Sequence, residues 1–287
     1  MTVVDAGTVR SFRSAKLPTG ELVPVLGQGT WGFAEDPRLR EDEIAALRLG
    51  LDLGMTLIDT AEMYADGGAE ELVGEAIVRR RNDVFLVSKV LPENATFRGT
   101  IEACKRSLRR LRTDRLDLYL LHWRGAVPLE ETINGFDSLV RAGNIRHWGV
   151  SNFDLPDMIE VVGLADDAVC TDQVLYNLSR RGIEYDLVLW CQEHRIPIMA
   201  YSPIERGRLL NSRTLKVIAA RHRASPATVA LAWVLRQDGV IAIPKASSEA
   251  HVRENRAALD LHLTAQDLAD LDRAFPPPKG PQPLAMI

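Results

Sequence analysis

The sequence of 287 residues contains few cysteines, no long apolar run and little excess charge. Its three cysteines, Cys104, Cys170 and Cys191, are odd in number, widely spaced and fit no metal-ligand pattern, which predicts small core or near-surface thiols rather than nucleophiles. Met1 to Arg10 lacks the apolar core of a signal peptide, and no segment reaches the length of a membrane span. We therefore expect a cytoplasmic protein that binds no metal.

The charge balance of the chain is close to neutral. Its 35 Lys and Arg residues and 39 Asp and Glu residues give a net charge of −4. A mildly acidic chain has no electrostatic attraction for nucleic acid or for an anionic membrane, so we expect neither as a partner. The basic cluster of Lys105, Arg106, Arg109 and Arg110 is then interpreted as the solvent-facing side of a helix.

Apolar runs of strand length alternate with segments of helical periodicity along most of the chain. Runs without polar alternation are typical of strands that are buried on both faces of a parallel sheet. The predicted strands span 25–27, 55–58, 84–89, 116–122, 145–152, 168–174, 197–203 and 240–245. The predicted helices span 41–53, 70–80, 100–111, 129–142, 155–163, 185–194, 214–223, 251–260 and 264–275.

Eight strand–helix units without a linker predict an α/β fold of the (β/α)8 TIM-barrel type, with residues 1–287 in a single domain. Two short apolar runs around a Pro/Gly turn predict a β-hairpin over 12–24, and the proline-rich tail 276–287 is predicted to be extended. An open doubly wound sheet is the alternative, because 27–32 has the G-x-G-x-x-G spacing. No acid-terminated ribose-binding strand follows as expected, so the barrel is favoured.

Polar side chains stand at the ends of three successive predicted strands. These are Asp59, Lys89 and His122, and Tyr64 follows Asp59 by five residues. Because the carboxyl ends of barrel strands meet at one face, the four side chains are expected to converge there. Taken singly, Asp59 could be a helix cap, Tyr64 a surface ring and His122 a satisfied core histidine. Together they predict an active site.

Motifs around these positions follow one another from about residue 20 to residue 260. They are Ile58-Asp59-Thr60-Ala61 with Tyr64, Glu71-Leu72-Val73-Gly74, Lys89, the run 116–123, Gly149-Val150-Ser151-Asn152, Tyr201-Ser202-Pro203 and Ile243-Pro244-Lys245. In this order they resemble the aldo-keto reductases. The resemblance implies a barrel without a Rossmann domain, a nicotinamide dinucleotide extended across the strand ends, and reduction of an aldehyde or ketone.

The four polar residues also suit carbonyl reduction on chemical grounds. Adding a hydride to a carbonyl carbon leaves negative charge on the oxygen, which needs a proton donor nearby. Tyr64 is the predicted general acid, Lys89 would lower its pKa from about 10, and Asp59 would orient Lys89. His122 would hydrogen-bond the substrate oxygen. Lys89 as the Schiff-base nucleophile of a lyase is the rival chemistry.

The resemblance further implies which residues hold NADPH. Ser151, Asn152 and Gln173 match positions at the nicotinamide carboxamide, and Tyr201 matches the ring that stacks on the nicotinamide. The other matches are Ser202, Ile204 and Arg206 at the pyrophosphate, Lys245 at the 2′-phosphate, Glu254 and Asn255 near the adenine, and Gly29, Thr30 and Trp31 at the first strand end.

The phosphate end departs from the family pattern. Ala246 and His251 stand where the family usually has a serine and an arginine, and Ser247 and Ser248 are the candidate substitutes. A bidentate arginine binds phosphate more strongly than an imidazole does. Lys245 still favours NADPH, and use of NADH is left open.

Large apolar side chains flank the predicted catalytic positions, namely Trp31, Phe33, Met63 and Trp123. They would form an aromatic substrate mouth, with packing at the barrel rim as the alternative interpretation, above all for Phe33 and Met63. Arg124 would favour substrates that carry an anion. The tail 276–287 either closes one wall of the mouth or lies idle on the surface.

The sequence thus predicts a monomeric NAD(P)H-dependent reductase that acts on a small-molecule carbonyl substrate. Asp59, Tyr64, Lys89 and His122 are its predicted catalytic residues. A cofactor-sensing regulatory barrel that binds NADPH with little turnover is the alternative from another functional class. Loss of one of the four residues would favour that alternative, and all four are present.

Overall fold

The computed structural model describes residues 13–165 and 168–287. The predicted lack of a signal peptide in Met1 to Arg10 and the first residue of the predicted hairpin, Phe12, lie outside these residues. Within them, no helix is long and apolar enough to cross a membrane. The same residues contain no group of three or more His, Cys, Asp and Glu side chains that could hold a metal ion.

The chain begins its described part with an antiparallel hairpin of β1 (Ser14–Lys16) and β2 (Leu22–Pro24). The main sheet then contains β3 (Gln28–Gly29), β4 (Leu57–Asp59), β5 (Phe85–Val90), β6 (Leu116–Leu121), β7 (Ile145–Ser151), β8 (Val169–Leu175), β9 (Ile198–Tyr201) and β10 (Val240–Ala242). These eight strands are parallel and lie side by side in sequence order. Every residue of β4, β5, β6 and β8 is buried, as expected for strands covered on both faces.

The sheet closes into a barrel where its first and last strands meet. Gly27 N donates to Ala242 O, and Ala242 N donates to Val25 O, both at 2.8 Å. Gly29 allows this close packing, because a Cβ there would lie 2.6 Å from Ile243 O, which follows the last strand. The structure therefore has the predicted (β/α)8 fold with a short N-terminal hairpin.

Helices surround the barrel and connect its strands. They are α1 (Arg40–Asp52), α2 (Gly68–Ala76), α3 (Phe97–Leu111), α4 (Leu129–Arg141), α5 (Leu155–Ala165), α6 (Leu187–Glu193), α7 (Arg213–His222), α8 (Pro226–Leu235), α9 (Glu249–Ala257) and α10 (Ala265–Ala274). Several begin at a hydroxyl side chain that accepts a backbone N–H of the first turn, which stabilises the helix start. These caps are Thr96, Ser212, Ser225, Ser248 and Thr264.

Helix α8 was missing from the sequence prediction. Its residues from Ala227 to Leu235 are all buried, so no polar face marks the helical period. The local signals were the cap Ser225 and the first-turn Pro226, a combination that favours a helix start.

Two predicted boundaries were wrong for backbone reasons. The helix predicted over 70–80 ends at Ala76, and Arg79 adopts a left-handed φ of 64°, which a right-handed helix cannot contain. The first barrel strand is Gln28–Gly29 rather than 25–27. Leu26 still forms an isolated parallel bridge with Ala242, so the predicted segment does take part in closing the barrel.

The N-terminal hairpin attaches near the start of β7. Glu21 Oε2 lies 2.6 Å from Arg146 Nη2 and 2.7 Å from His147 Nε2. Arg13 also donates to Leu235 O at 2.8 Å, which ties the hairpin to α8. Because β7 begins at Ile145, these contacts lie at the amino end of the strand, and the opposite barrel face stays open.

The three cysteines are free and buried, so of the two predicted positions, core and near-surface, the structure shows the core. Burial raises the pKa of Cys104 and of Cys170 to about 12, so neither is a thiolate at neutral pH. Burial also raises the pKa of Cys191. Reactive cysteines require the opposite shift, so these thiols serve as small core side chains.

Candidate active site

A cavity of about 900 Å³ opens at the carboxyl ends of the barrel strands. Small-molecule sites in barrels of this kind are found at that face. Its lining includes most of the side chains that the sequence singled out, namely Gly29, Trp31, Asp59, Met63, Tyr64, His122, Trp123, Ser151, Asn152, Gln173, Tyr201, Ser202, Ile204, Arg206, Lys245, His251, Glu254 and Asn255.

The structure brings Asp59, Lys89 and Tyr64 into direct contact. Asp59 ends β4 and Lys89 lies on the neighbouring β5, and Lys89 Nζ donates to both Asp59 carboxylate oxygens at 2.8 Å. Lys89 Nζ also lies 3.1 Å from the Tyr64 hydroxyl and 2.9 Å from Thr60 O. The ammonium is therefore held by its counter-ion against the phenol that faces the cavity.

These contacts argue against Lys89 as a nucleophile. Its side chain is fully buried beneath the cavity wall, and its amino group is occupied by Asp59, Tyr64 and a backbone carbonyl. A Schiff base requires a free amine that a carbonyl carbon can approach. The geometry fits an electrostatic role for Lys89 and not the lyase chemistry.

The pKa of Tyr64 is shifted in the direction opposite to the sequence prediction. Burial raises it well above the ordinary value, and the Asp59 carboxylate adds to the increase. Burial and the Asp59 carboxylate outweigh the lowering expected from the Lys89 ammonium, which lies 2.8 Å from that carboxylate. Burial itself lowers the pKa of Lys89, and Asp59 opposes that change. Tyr64 is thus fully protonated at neutral pH, as a proton donor must be.

His122 lies beside the phenol as a neutral imidazole. The centroids of the two rings are 5.8 Å apart. Burial, with a smaller contribution from Lys89, lowers the pKa of His122 to about 2. Within the described part of the chain, its buried Nδ1 has no hydrogen-bond partner. A neutral ring here can donate one hydrogen bond without bringing a second charge into the cavity.

Gln173 makes a contact that the sequence did not reveal. Its Nε2 donates to Asp59 Oδ1 at 2.8 Å and to the sulfur of Met199 at 2.9 Å. The reversed amide would place Oε1 against the carboxylate, where it would be repelled, so this orientation is favoured. Oε1 is then left to accept a hydrogen bond from a ligand in the cavity. Gln173 therefore joins the predicted carboxamide site to Asp59.

Ser151, Asn152 and Tyr201 form a second network along the cavity wall. Asn152 adopts a left-handed φ of 59°, and its Nδ2 donates to His122 O at 3.1 Å. Its Oδ1 accepts from the Tyr201 hydroxyl at 2.9 Å. Ser151 Oγ donates to Gln173 O at 2.7 Å. These bonds fix the orientation of the Tyr201 ring that the resemblance assigns to nicotinamide stacking.

The loop after β9 has an unusual backbone. Ser202, Glu205 and Arg206 all have positive φ, at 46°, 49° and 52°. Glu205 is buried and accepts from Asn177 Nδ2 at 2.7 Å, which anchors the loop. The Arg206 guanidinium lies 5.6 Å from the Trp31 ring centroid across the cavity. Left-handed residues of this kind concentrate at binding sites, where surrounding contacts hold them.

The segment from β10 into α9 forms the other end of the cavity. Lys245 is exposed, and its Nζ lies 5.4 Å from the centroid of the Phe33 ring. Asn255 is buried, and its Nδ2 has no partner among the described residues. Ser248 caps α9, accepting from His251 N at 3.5 Å. An exposed cation and an unsatisfied amide here suit a ligand that carries phosphate and a polar ring.

Five of the residues that were predicted to bind a ligand do not line the cavity, namely Thr30, Phe33, Arg124, Ser247 and Ser248. Thr30 is fully buried, and its hydroxyl donates to Asp59 O at 2.9 Å, so it supports Asp59 from behind. Phe33 is also fully buried, below Lys245, because the chain turns inward after Trp31. Its predicted place in the substrate mouth was wrong, and the alternative of rim packing holds. Ser247 lies outside the lining.

Arg124 is not available to attract an anionic substrate. Its Nη1 lies 2.6 Å from Asp157 and 2.7 Å from Glu160 on α5. Two carboxylates on one guanidinium leave no positive excess at this part of the rim. These ion pairs argue against the prediction that Arg124 favours anionic substrates, and local sequence could not show them because both acids come from a later helix.

The cavity also has walls that the sequence did not assign. Met286 and Ile287, at the end of the tail 276–287, line the cavity. Of the two interpretations of the tail, the structure supports the one in which it closes a wall. Glu35, from the loop before α1, lines the cavity as well. No local sequence pattern pointed to Glu35.

Known proteins resemble this chain over almost all of its length. It is 53% identical to methylglyoxal reductase YeaE of Escherichia coli K12 over 271 residues, which are 92% of this chain and 95% of the relative. It is 34% identical to the glyoxal reductase of Bacillus subtilis over 262 residues, which are 90% and 91% of the two chains.

Solved structures give the same result. An aldo/keto reductase of Klebsiella pneumoniae, crystallised with NADP and acetate, is 49% identical with a TM-score of 0.93, and the match covers 96% of this chain and 100% of the other. A second structure from Klebsiella pneumoniae, an aldo-keto reductase with NADPH, has a TM-score of 0.92 at 49% identity and covers 96% and 99%.

The family comparison agrees with the geometry of the site. The sequence model described as "Aldo/keto reductase family" matches residues 25–275. This span contains the whole barrel and Asp59, Tyr64, Lys89 and His122. The chain belongs to the aldo/keto reductase family.

Proposed function

We propose that this protein reduces small aldehydes and ketones with NADPH and that Tyr64 donates the proton. The observation that carries the proposal is the 3.1 Å contact between the Tyr64 hydroxyl, at the cavity wall, and the buried Lys89 ammonium. Burial keeps the phenol protonated before reaction, because it raises the pKa of Tyr64. The adjacent ammonium stabilises the phenolate that forms afterwards.

The residues of the cavity fit a nicotinamide dinucleotide. Gln173 Oε1 is available to accept from a polar ligand, because the amide nitrogen is already bonded to Asp59 and Met199. Asn255 Nδ2 is buried without a partner within the described ranges. Arg206 and Lys245 line the same cavity and supply positive charge for phosphates. Orphaned polar atoms and cations along one wall are what an extended, phosphate-bearing ligand requires.

When bound, the reduced nicotinamide supplies the hydride that adds to the carbonyl carbon. The Tyr64 hydroxyl gives its proton to the carbonyl oxygen, so an aldehyde becomes a primary alcohol. His122 donates a hydrogen bond to the same oxygen and aligns it, and its neutral state follows from a pKa of about 2. Asp59 keeps Lys89 charged and in place, at 2.8 Å. Negative charge that develops on the substrate oxygen is therefore met by two donors.

The proposed substrates are small 2-oxoaldehydes such as methylglyoxal. Two of the relatives are named for reducing methylglyoxal and glyoxal. Trp31, Met63 and Trp123 line the cavity near the phenol, and the Trp31 ring meets the Tyr64 ring edge-on at 5.2 Å. These walls offer apolar contact to a short carbon chain. Arg124 is already paired with Asp157 and Glu160, so it does not favour a substrate that carries a carboxylate.

NADPH is the proposed cofactor in preference to NADH. Lys245 places an exposed ammonium at the end of the cavity that is assigned to the adenosine. His251 lines the same end where the family usually has arginine, so phosphate binding rests chiefly on Lys245. We therefore expect a moderate preference for NADPH and measurable activity with NADH.

The deciding experiment follows the absorbance of NADPH during incubation with methylglyoxal, glyoxal and simple aldehydes. Wild type is compared with Tyr64→Phe, and NADPH binding by both is measured from the quenching of tryptophan fluorescence. We expect turnover by the wild type and a loss of kcat by about 10²- to 10⁴-fold in the variant, with binding retained. Tight NADPH binding by the wild type without turnover of any carbonyl would point instead to the regulatory barrel.

A further inference from the structure

The turn that follows Tyr64, residues 65–67, has an unfavourable backbone conformation. Ala65 and Asp66 have left-handed φ values of 49° and 52°, and Gly67 follows at 90°. Two consecutive non-glycine residues in this region are unfavourable, because Cβ crowds the following carbonyl oxygen. The turn therefore needs contacts with other parts of the protein to keep its conformation. Tyr64 directly precedes it, so the position of Tyr64 depends on those contacts.

Arg110 on α3 supplies one of these contacts. Its side chain lies flat against Gly67, where an added Cβ would come within 2.4 Å of Arg110 Nε. Arg110 is itself held by Glu70 in the first turn of α2, with Nε 2.6 Å from Glu70 Oε2. The sequence pattern placed Arg110 on the wet face of its helix, yet its side chain is only 21% exposed.

The Glu70 carboxylate also contacts β5, the strand that carries Lys89. It is fully buried, and its Oε1 accepts from Ser88 Oγ at 2.6 Å. Ser88 immediately precedes Lys89 on β5. One carboxylate therefore binds both the arginine that packs on the Tyr64 turn and the strand that carries Lys89. A buried carboxylate with both oxygens engaged is rigid, because moving it would leave an unpaired charge.

We propose that Glu70 and Arg110 are positioning residues that keep the Tyr64 hydroxyl within hydrogen-bond distance of Lys89 Nζ. Neither side chain lines the cavity, so both act through the turn 65–67 and through Ser88. The inference rests on the proposed role of Tyr64 as the proton donor. It assigns catalytic importance to a pair outside the barrel mouth that the catalytic motifs do not include.

The first test compares two neighbouring arginines on α3. Arg110→Gln removes the group that packs on Gly67, and Arg109→Gln makes the same charge change at an exposed position. We expect Arg110→Gln to lower kcat by about 10- to 100-fold while the KM values for carbonyl and NADPH stay within about twofold, because misplaced groups slow chemistry without weakening binding. Arg109→Gln keeps the wild-type kcat. Arg110→Lys keeps the charge and is measured for the same kcat and KM values. If Arg110→Gln does not fold, Arg110→Lys takes its place in the comparison with Arg109→Gln.

The second test uses two neighbouring glutamates on α2. Glu70→Gln keeps the shape of the side chain, and Glu71→Gln is the exposed control. Because the Glu70 charge raises the pKa of Lys89, its removal should move the basic limb of the kcat profile to lower pH. Glu71→Gln should leave that limb in place. A merely structural role for Glu70 would lower the melting temperature without moving the profile.

Other outcomes would overturn the inference. Folded Arg110→Gln and Glu70→Gln with wild-type kcat would contradict it, as would an equal loss of kcat in Arg109→Gln. Failure of the proposed function has a different signature, namely an inactive wild type or an active Tyr64→Phe. An active wild type, an inactive Tyr64→Phe and an unchanged Arg110→Gln would remove the positioning role alone.

Discussion

At one end of the cavity, Asp59, Lys89 and Gln173 are no more than 2% exposed, and Lys89 and Gln173 both donate hydrogen bonds to Asp59. At the other end, Lys245 and His251 are exposed, and Asn255 Nδ2 lacks a partner among the described residues. The first group stands mainly on barrel strands and the second on the segment from β10 into α9. The end proposed for catalysis therefore has its hydrogen bonds in place, whereas the end proposed for phosphate binding leaves Asn255 Nδ2 available to a ligand.

The contrast follows from the electrostatics of burial. A charge removed from water must be paired, so the catalytic ammonium carries its own carboxylate at 2.8 Å. An exposed cation needs no internal partner, and a phosphate can bind it without breaking an ion pair. Substitutions at the two ends should therefore differ in kind. Those at the catalytic end should affect both folding and kcat, and those at the phosphate end should affect only cofactor binding.

The largest effect is expected for Lys89→Met. We predict that kcat/KM falls by about 10²- to 10⁴-fold, because the phenolate loses its ammonium. Unfolding in urea should also show a loss of about 3–5 kcal/mol, because Asp59 is left buried without a counter-ion. Lys89→Met combined with Asp59→Leu should recover stability but not activity. Full stability in the Lys89→Met variant would mean that Asp59 finds another partner. The two ends of the cavity would then differ less in their need for internal charge pairing than proposed.

The next effect is at the phosphate end. Lys245→Ala should raise the KM for NADPH by about 10- to 100-fold, the value of one charge-assisted contact, and leave kcat/KM for NADH unchanged. The free energy of unfolding should stay at the wild-type value, since the side chain is exposed. His251→Arg should shift the preference towards NADPH. Equal losses with both cofactors would show that Lys245 does not contact the 2′-phosphate.

A pH-dependent effect is expected at Asp172, beside Gln173 on β8. The carboxyl is fully buried, Oδ2 has no partner within the described residues, and burial raises its pKa well above the ordinary value. The folded state therefore holds a proton that the unfolded state releases above pH of about 4, so stability falls as the pH rises past that value.

Asp172→Asn should remove this contribution. The melting temperature of the wild type should fall relative to that of the variant as the pH increases from 4 towards 8, and the difference between the two curves isolates Asp172 from other groups. Parallel curves would show that Asp172 is ionised in the folded protein as it is in the unfolded chain.

The smallest effect is expected for Arg124→Gln at the cavity rim. Its ion pairs with Asp157 and Glu160 are partly exposed, and such pairs contribute about 0–1 kcal/mol. We predict that kcat/KM for methylglyoxal and for an aldehyde that carries a carboxylate both stay within about twofold of wild type. A selective loss with the carboxylate substrate would restore the role that the sequence suggested for Arg124.

Local sequence patterns were most informative about residues that stand at the ends of strands. Asp59, Lys89 and His122 directly end or follow apolar runs, and parallel strands bring their ends to one face. Residues on loops were harder to place. Phe33 and Trp31 are two positions apart, yet Phe33 is fully buried and Trp31 is 46% exposed, a difference set by the turn between them.

Contacts between distant segments were beyond sequence analysis. Gln173 and Asp59 are 114 positions apart, and their hydrogen bond exists only because barrel closure brings β8 across from β4. The pairing of Arg124 with α5 and the approach of Met286 to the cavity depend in the same way on packing. The sign of the Tyr64 pKa shift also belongs to this group, because burial outweighs the neighbouring charge.

By itself, the sequence determined the eight strand–helix units, the face on which the polar strand ends meet, and the family. It could do so because strand period, strand end and motif order are properties of consecutive residues. Tertiary structure alone decided that Lys89 is neutralised by Asp59, that Glu70 links the Tyr64 turn to β5, and that the two cavity ends differ in burial. Charge pairing and desolvation depend on neighbours that only the folded barrel brings together.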